Sequence, residues 1–232
     1  MLTIVLTRHG STARSVPEQH LGQRIDIPLS DAGRAAASAL GRRLAGVHFD
    51  RVIASPLKRA SETASLVVPG RPFETDARLM EMDYGRWEGL TYEQIEAQDA
   101  EARRRWEEAP DRLSYPGGES GEDVARRAGS FLRDLVAAEA AAGSAPVAGP
   151  GSQDGGAPNG ERRVLVLAHS SLNRVLLCVA LDVPLRDYRN RFVQSNANLT
   201  VLRFEGSLED GALLLVANDM SHIRGIQGVT WD

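Results

Sequence analysis

Apolar residues follow two rhythms along the chain. Short, largely apolar runs occur at Leu2 to Thr7, Arg51 to Ala54 and Val164 to Ala168, the pattern of strands buried on both faces. Between them apolar residues recur at helical spacing: Ala36, Leu40 and Leu44 predict a helix from Ser30 or Asp31 to about Gly46. Ser55–Pro56, a capping serine followed by proline at the first helical position, predicts a second helix reaching about Val67. A short edge strand is expected at Phe73 to Thr75, an ordered loop from Leu79 to Leu90, and a polar helix from Thr91 toward Glu108. Ser120 with Asp123 makes a box-like start for a helix ending in Leu135 to Ala142, and another helix runs from Ser170 to Leu181. Pro184 opens a short helix, and Asn198 to Phe204 and Leu213 to Ala217 alternate as strands. Strands alternating with helices predict an α/β fold with a mostly parallel sheet covered on both faces.

Gly143 to Gly160 breaks this pattern. Its Gly, Ala, Pro and Ser residues cannot bury enough apolar surface to offset the entropy of ordering, so a mobile insertion is expected. The strand after it is needed to complete the same sheet, so residues 1–232 read as a single domain. Hydrophobic residues make up 42% of the chain and charged residues 25%, which excludes wholesale disorder. With 27 lysines and arginines against 31 aspartates and glutamates, the net charge of −4 offers no basic field for nucleic acid or anionic lipid. No apolar run approaches the roughly 20 residues of a membrane span. Cys178 is the sole cysteine and cannot form an internal disulfide, which fits a reducing cytoplasm.

Ligands of open α/β sheets sit outside the carboxyl ends of the strands, which makes the residues just after each strand the place to look for chemistry. The first strand ends in Arg8–His9–Gly10, the second leads through Ser55–Pro56 to Arg59, and Val164 to Ala168 ends in His169–Ser170–Ser171. Taken singly, an Arg–His pair reads as a surface turn and Lys58–Arg59 as an exposed helix face. Together, two histidines and two arginines after different elements are hard to assign to a core, because buried charge must be paired. Such a pocket suits phosphate: the guanidinium fork bonds two oxygens together, and helix starts near Pro56 and Ser170 add N–H donors. An imidazole with a pKa near 6.5 is substantially neutral at cellular pH and can attack phosphorus. The departing alkoxide needs a proton, for which Glu81, Asp83 and Glu88 compete; the methionines beside Glu81 would dry its surroundings and favour the protonated form.

These residues resemble the histidine phosphatase superfamily, also called the phosphoglycerate mutase-like family. Leu6 to Thr12 is similar to its opening Arg-His-Gly signature, Ser55 to Ala60 with Thr63 and Ala64 to its second motif, and Met80 to Gly89 to its proton-donor loop. Pro116 to Ser120 resembles the lid-side motif, His169 supplies the second histidine, and 196–198 and 218–222 are similar to later segments. The resemblance implies a three-layer α/β/α sandwich in which His9 becomes phosphorylated, Glu81 donates the proton, His169 stabilises the transition state, and Arg8 and Arg59 bind phosphate. Ser15 stands where many relatives have asparagine, and His169–Ser170–Ser171 where relatives often have His-Gly-Gly. Ser15 and Ser170 are therefore candidate phosphate contacts, although a serine at a helix start more often caps it.

The expected function is metal-independent hydrolysis of a small phosphomonoester through a phosphohistidine, with no cofactor. His20, His48 and His222 lack ligand-like spacing, so no metal site is expected, and His222 is a candidate for the pocket rim. Trp87, Tyr92 and Trp106 are expected to pack rather than bind, with substrate contact left open for Trp106. One rival is a cofactor-dependent phosphoglycerate mutase, disfavoured because the donor loop lacks that group's Arg-His pair. Another is a non-catalytic phosphate-binding module, disfavoured because the nucleophile and the donor are present. The expected partner is a small phosphorylated metabolite, with neither nucleic acid nor membrane, and an apolar edge strand at Leu199 to Phe204 would allow a homodimer.

Overall fold

The computed structural model describes residues 1–143 and 161–224. The insertion expected at Gly143 to Gly160 lies, beyond Gly143, outside the described residues. The predicted runs become β1 (Leu2–Arg8), β2 (Arg51–Ala54) and β4 (Arg162–Ala168), joined by β3 (Glu74–Thr75), β5 (Leu199–Phe204) and β6 (Leu213–Asp219). They form one six-stranded sheet in the order β3-β2-β4-β1-β5-β6. β1, β2, β3 and β4 pair in parallel, β5 runs antiparallel to both neighbours, and β6 therefore points the same way as β1.

The largely apolar character of β1 and β4 follows from burial on both faces. Leu2, Ile4 and Leu6 of β1, with Val164 and Val166 of β4, face α4 (Gly121–Gly143) and α5 (Ser170–Ala180). Val5, Leu165 and Leu167 face the opposite way, against α1 (Asp31–Leu44) and α2 (Lys58–Val67). This period of two places a helical layer on each side of the sheet. α3 (Tyr92–Glu108) and the short α6 (Tyr188–Arg191) complete the helices.

Local signals behave unevenly. Ser30 caps α1 by accepting from the Gly33 N–H, and Ser120 and Asp123 bond reciprocally at the start of α4. The helix predicted from Ser55–Pro56 starts later, at Lys58, because Ser55 turns inward and its hydroxyl accepts from the Leu57 N–H. The edge expected at Leu199 to Phe204 is not an edge: β5 lies between β1 and β6, and the outer strand is β6. Alternation alone cannot distinguish a central from an outer strand.

Register sets up the site. Arg8 of β1 pairs with Ala168 of β4, and Ala54 of β2 with Leu167. The residues that follow, His9, Ser55 and His169, thus emerge side by side at the carboxyl edge of the sheet, as the doubly wound topology requires. The chain then leaves β1 through a crossing that tolerates only glycine: a Cβ on Gly10 would stand 2.5 Å from the Gly33 carbonyl oxygen, and one on Gly33 would meet the Ser11 carbonyl.

Candidate active site

The rings of His9 and His169 lie 5.1 Å apart between centroids, and both side chains are buried. His9 Nδ1 is 2.7 Å from the Gly10 carbonyl oxygen, which can only accept. Nδ1 therefore carries the hydrogen and Nε2 keeps its lone pair. His169 Nε2 lies 2.8 Å from Ser55 Oγ, while its buried Nδ1 has no partner among the described residues. The backbone of His9 is fixed from two sides: its N–H donates to the Ala168 carbonyl at 3.0 Å, and its own carbonyl accepts from Asn196 Nδ2 at 3.0 Å.

Two arginines bracket these rings. Arg8 donates through Nη1 to the Gln194 carbonyl at 3.0 Å and through Nη2 to Glu18 at 3.3 Å. Arg59 is fully buried, its Nη groups donating to the carbonyls of Leu21, Gly22 and Ile25. The Nε of each is buried and has no partner among the described residues. Together with His169 Nδ1, these are buried nitrogens around the site without partners among the described residues, where folded proteins normally leave few.

Burial pushes the His9 imidazole well below its ordinary 6.5, and the charges of Arg59 and Arg8 act in the same direction, against the Gly10 carbonyl. His169 is lowered in the same way, by burial first and then by Arg59 and His9. Both rings are thus held neutral in the free protein. As pH falls through about 6.5 the unfolded chain takes up protons that the folded protein refuses. The melting temperature is expected to drop over roughly pH 6.5 to 5, and to drop less in a His169→Gln variant measured beside the wild type.

The three competing carboxylates are separated by geometry. Glu88 accepts from the N–H groups of Gln23, Arg24 and Ile25, and Asp83 binds the Gly85 N–H and Arg24. Both clamp loops outside the cavity. Glu81 is buried and lines the cavity. Its Oε1 accepts from the N–H groups of Met82 at 2.8 Å and Leu172 at 3.0 Å, and its Oε2 from Ser171 at 3.1 Å. The carboxylate meets the N-terminus of α5, not the methionine-lined surroundings expected for it, and Met82 is turned into the core. Arg127 holds this loop by donating to the carbonyls of Arg78, Met80 and Glu81 while pairing with Glu119.

The cavity above His9, about 100 Å³, is walled by Arg8, Glu81, Ser15, Ser170, Tyr84 and Tyr92 among others. Ser15 Oγ accepts from the Thr12 N–H at 2.9 Å, so it braces the turn after His9 as well as facing the cavity. Ser170 does not cap α5. That position belongs to His169, which makes no side-chain capping bond, and the helix N–H groups go to Glu81. Ser171 instead meets the Tyr84 hydroxyl at 2.8 Å. His222 lies away from this cavity, bonded to the Ala197 carbonyl at 2.8 Å. Trp87 and Trp106 pack as expected, whereas Tyr92 lines the cavity. Sequence reasoning passed over Gln194, Arg127, Arg174 and Arg189; only Arg174, one helical turn beyond Ser170, carried a spacing signal. Among the described residues no group of three or more His, Cys, Asp or Glu is placed to hold a metal ion, and no helix is long and apolar enough to cross a membrane.

Fold and site define an α/β protein that gathers paired histidines and arginines at the carboxyl edge of its sheet. The chain belongs to the histidine phosphatase superfamily (branch 1), whose family model matches residues 4–148 and 155–218. It is 34% identical over 205 residues to the glucosyl-3-phosphoglycerate phosphatase of Mycobacterium tuberculosis, covering 86% of this chain and 84% of that protein. Phosphoserine phosphatase 1 of Hydrogenobacter thermophilus is 27% identical over 207 residues, covering 88% of each. A solved structure of mycobacterial glucosyl-3-phosphoglycerate phosphatase in complex with VO3 superposes with a TM-score of 0.74 at 32% identity, over 93% of this chain and 98% of that one.

Proposed function

We propose that this chain hydrolyses small phosphomonoesters through a phosphohistidine on His9, without a metal ion or other cofactor. The observation that carries this reading is the set of unpartnered buried nitrogens, Arg8 Nε, Arg59 Nε and His169 Nδ1, around a histidine whose Nε2 holds a lone pair. A phosphoryl group supplies the acceptors these nitrogens lack. Ser15 and Ser170, on the cavity wall, are placed to add hydroxyl donors to its oxygens.

His9 Nε2 attacks phosphorus and forms the P–N bond as the P–O bond to the alcohol breaks. The proton on Glu81 passes to the departing oxygen. Water then attacks the phosphohistidine, the P–N bond breaks, and Glu81 takes a proton back, so that phosphate leaves and the enzyme is restored. Charge on the phosphoryl oxygens is met by Arg8 and Arg59, and by His169 once the dianion favours its protonated form. These groups supply the electrostatic stabilisation for which other phosphoryl-transfer sites use metal ions, which supports the metal-independent reading.

The relatives named above are phosphatases, which favours hydrolysis over mutase transfer. A cytoplasmic location rests on the buried, unpaired Cys178. The outer strand β6, with Leu213, Leu214 and Leu215 exposed, is the surface a homodimer would use. Phosphate release from a panel of small phosphomonoesters in excess chelator tests the function: turnover is expected to persist in chelator, and loss of all turnover there would contradict the metal-independent step.

A further inference from the structure

The cavity wall carries more positive charge than one phosphoryl group requires. Besides Arg8, it presents the side chains of Arg14, Arg174 and Arg189, and the two carboxylates on it among the described residues, Glu18 and Glu81, are already engaged. Glu18 pairs with Arg8, and Glu81 serves the N-terminus of α5. None of the three further arginines forms an ion pair among the described residues.

Arg174 is the sharpest case. It sits on α5 four residues after Ser170 and three after Ser171, so all three share the face turned to the cavity. Its guanidinium has no hydrogen-bond or ion-pair partner among the described residues, and its Nε is buried. A buried N–H without an acceptor is unfavourable and uncommon in a folded protein. Arg189 approaches from α6 and is held ready: Nη2 donates to the Tyr92 hydroxyl at 2.6 Å, and the guanidinium lies 4.6 Å over the Trp106 ring. These contacts orient the group without neutralising it.

We propose that Arg174 and Arg189, supported by Arg14, bind a second anionic group on the alcohol part of the substrate, a carboxylate or a second phosphate. This rests on the phosphatase reading above and narrows it. The phosphoryl group sits at His9, and the second anion occupies the part of the same cavity walled by α5 and α6.

The test compares kcat/KM for matched substrates. O-phosphoserine is paired with phosphoethanolamine and 3-phosphoglycerate with glycerol 3-phosphate for the carboxylate, and fructose 1,6-bisphosphate with fructose 6-phosphate for the second phosphate. The wild type is expected to favour the doubly anionic member of at least one type of pair by roughly 10- to 100-fold, the worth of a charge-assisted bond or two. Arg174→Gln and Arg189→Gln are each expected to move that ratio toward one, with Arg174→Lys retaining part of it. Equal turnover of paired substrates by the wild type, or a ratio unchanged in both glutamine variants, overturns the second site and leaves the phosphatase reading standing. Absence of phosphate release from every compound would instead overturn the phosphatase reading, and the second site with it.

Discussion

Replacing His9 with alanine is expected to lower kcat/KM by roughly 10⁴-fold or more for every substrate, because no other group in the cavity can take over the attack. His169 does not line the cavity, and its Nε2 is engaged with Ser55 Oγ. Ser171 spends its hydroxyl on Tyr84, and Glu81 is tied to three backbone N–H groups. The fold should survive. The loop after β1 is fixed by main-chain and Asn196 contacts and by the Gly10–Gly33 crossing, none of which uses the imidazole. Phosphate release measured beside an unchanged melting profile checks this, and residual turnover near the wild-type rate would show that water attacks phosphorus directly.

The second large effect concerns Glu81. Glu81→Gln keeps the size of the side chain and an oxygen able to accept from Met82 and Leu172, so α5 stays capped, but an amide cannot supply a proton. For alkyl phosphates, whose leaving oxygen must be protonated, kcat is expected to fall by about 10²- to 10⁴-fold. For p-nitrophenyl phosphate, which departs as a stable anion, the first step needs no acid. The loss there is expected to fall on the second step, where the base that activates water is missing. A burst of nitrophenol followed by slow turnover distinguishes this from a general loss of structure, and an equal loss of kcat/KM for both leaving groups with no burst would remove Glu81 from the proton-transfer role.

Much of this was legible in the chain because burial on both faces writes itself as a largely apolar run. Leu2 to Thr7 and Val164 to Ala168 need no alternation, and the residues at their ends, Arg8, His9 and His169, stand out as charge placed directly after a buried strand. Other features depend on partners far apart in sequence. Nothing near Ser170 says that α5 is capped by a carboxylate from residue 81, since that bond spans 90 positions. Glu81, Asp83 and Glu88 are equivalent as letters, and only the fold of 20–25 against 81–88 ties Glu88 to the N–H groups of Gln23 and Ile25 and Asp83 to the Arg24 side chain, with Glu81 left on the cavity wall. The same loop explains Arg59: its Nη groups go to the carbonyls of Leu21, Gly22 and Ile25, which leaves Nε as the free donor. The central position of β5 was hidden for a related reason, because its outer neighbour β6 returns only after a turn whose pairing the alternation does not specify.

Glu81 also shows how the fold serves the chemistry. Arg127 and Gln23 grip the carbonyls of its loop, and Glu119 links the two by bonding to both. The carboxylate is thereby held against α5 on the wall of the cavity, so the proposed proton donor is positioned before substrate arrives.

The covalent step at His9 is the centre of the proposed reaction. The measurement that addresses it most directly is rapid acid-free quenching of the enzyme during turnover of a ³²P-labelled phosphomonoester, followed by peptide mapping. The expected result is a phosphoryl adduct stable to alkali, labile to acid and confined to the peptide bearing His9. An adduct on another residue, or no adduct in a Glu81→Gln enzyme that still turns over p-nitrophenyl phosphate, would contradict it.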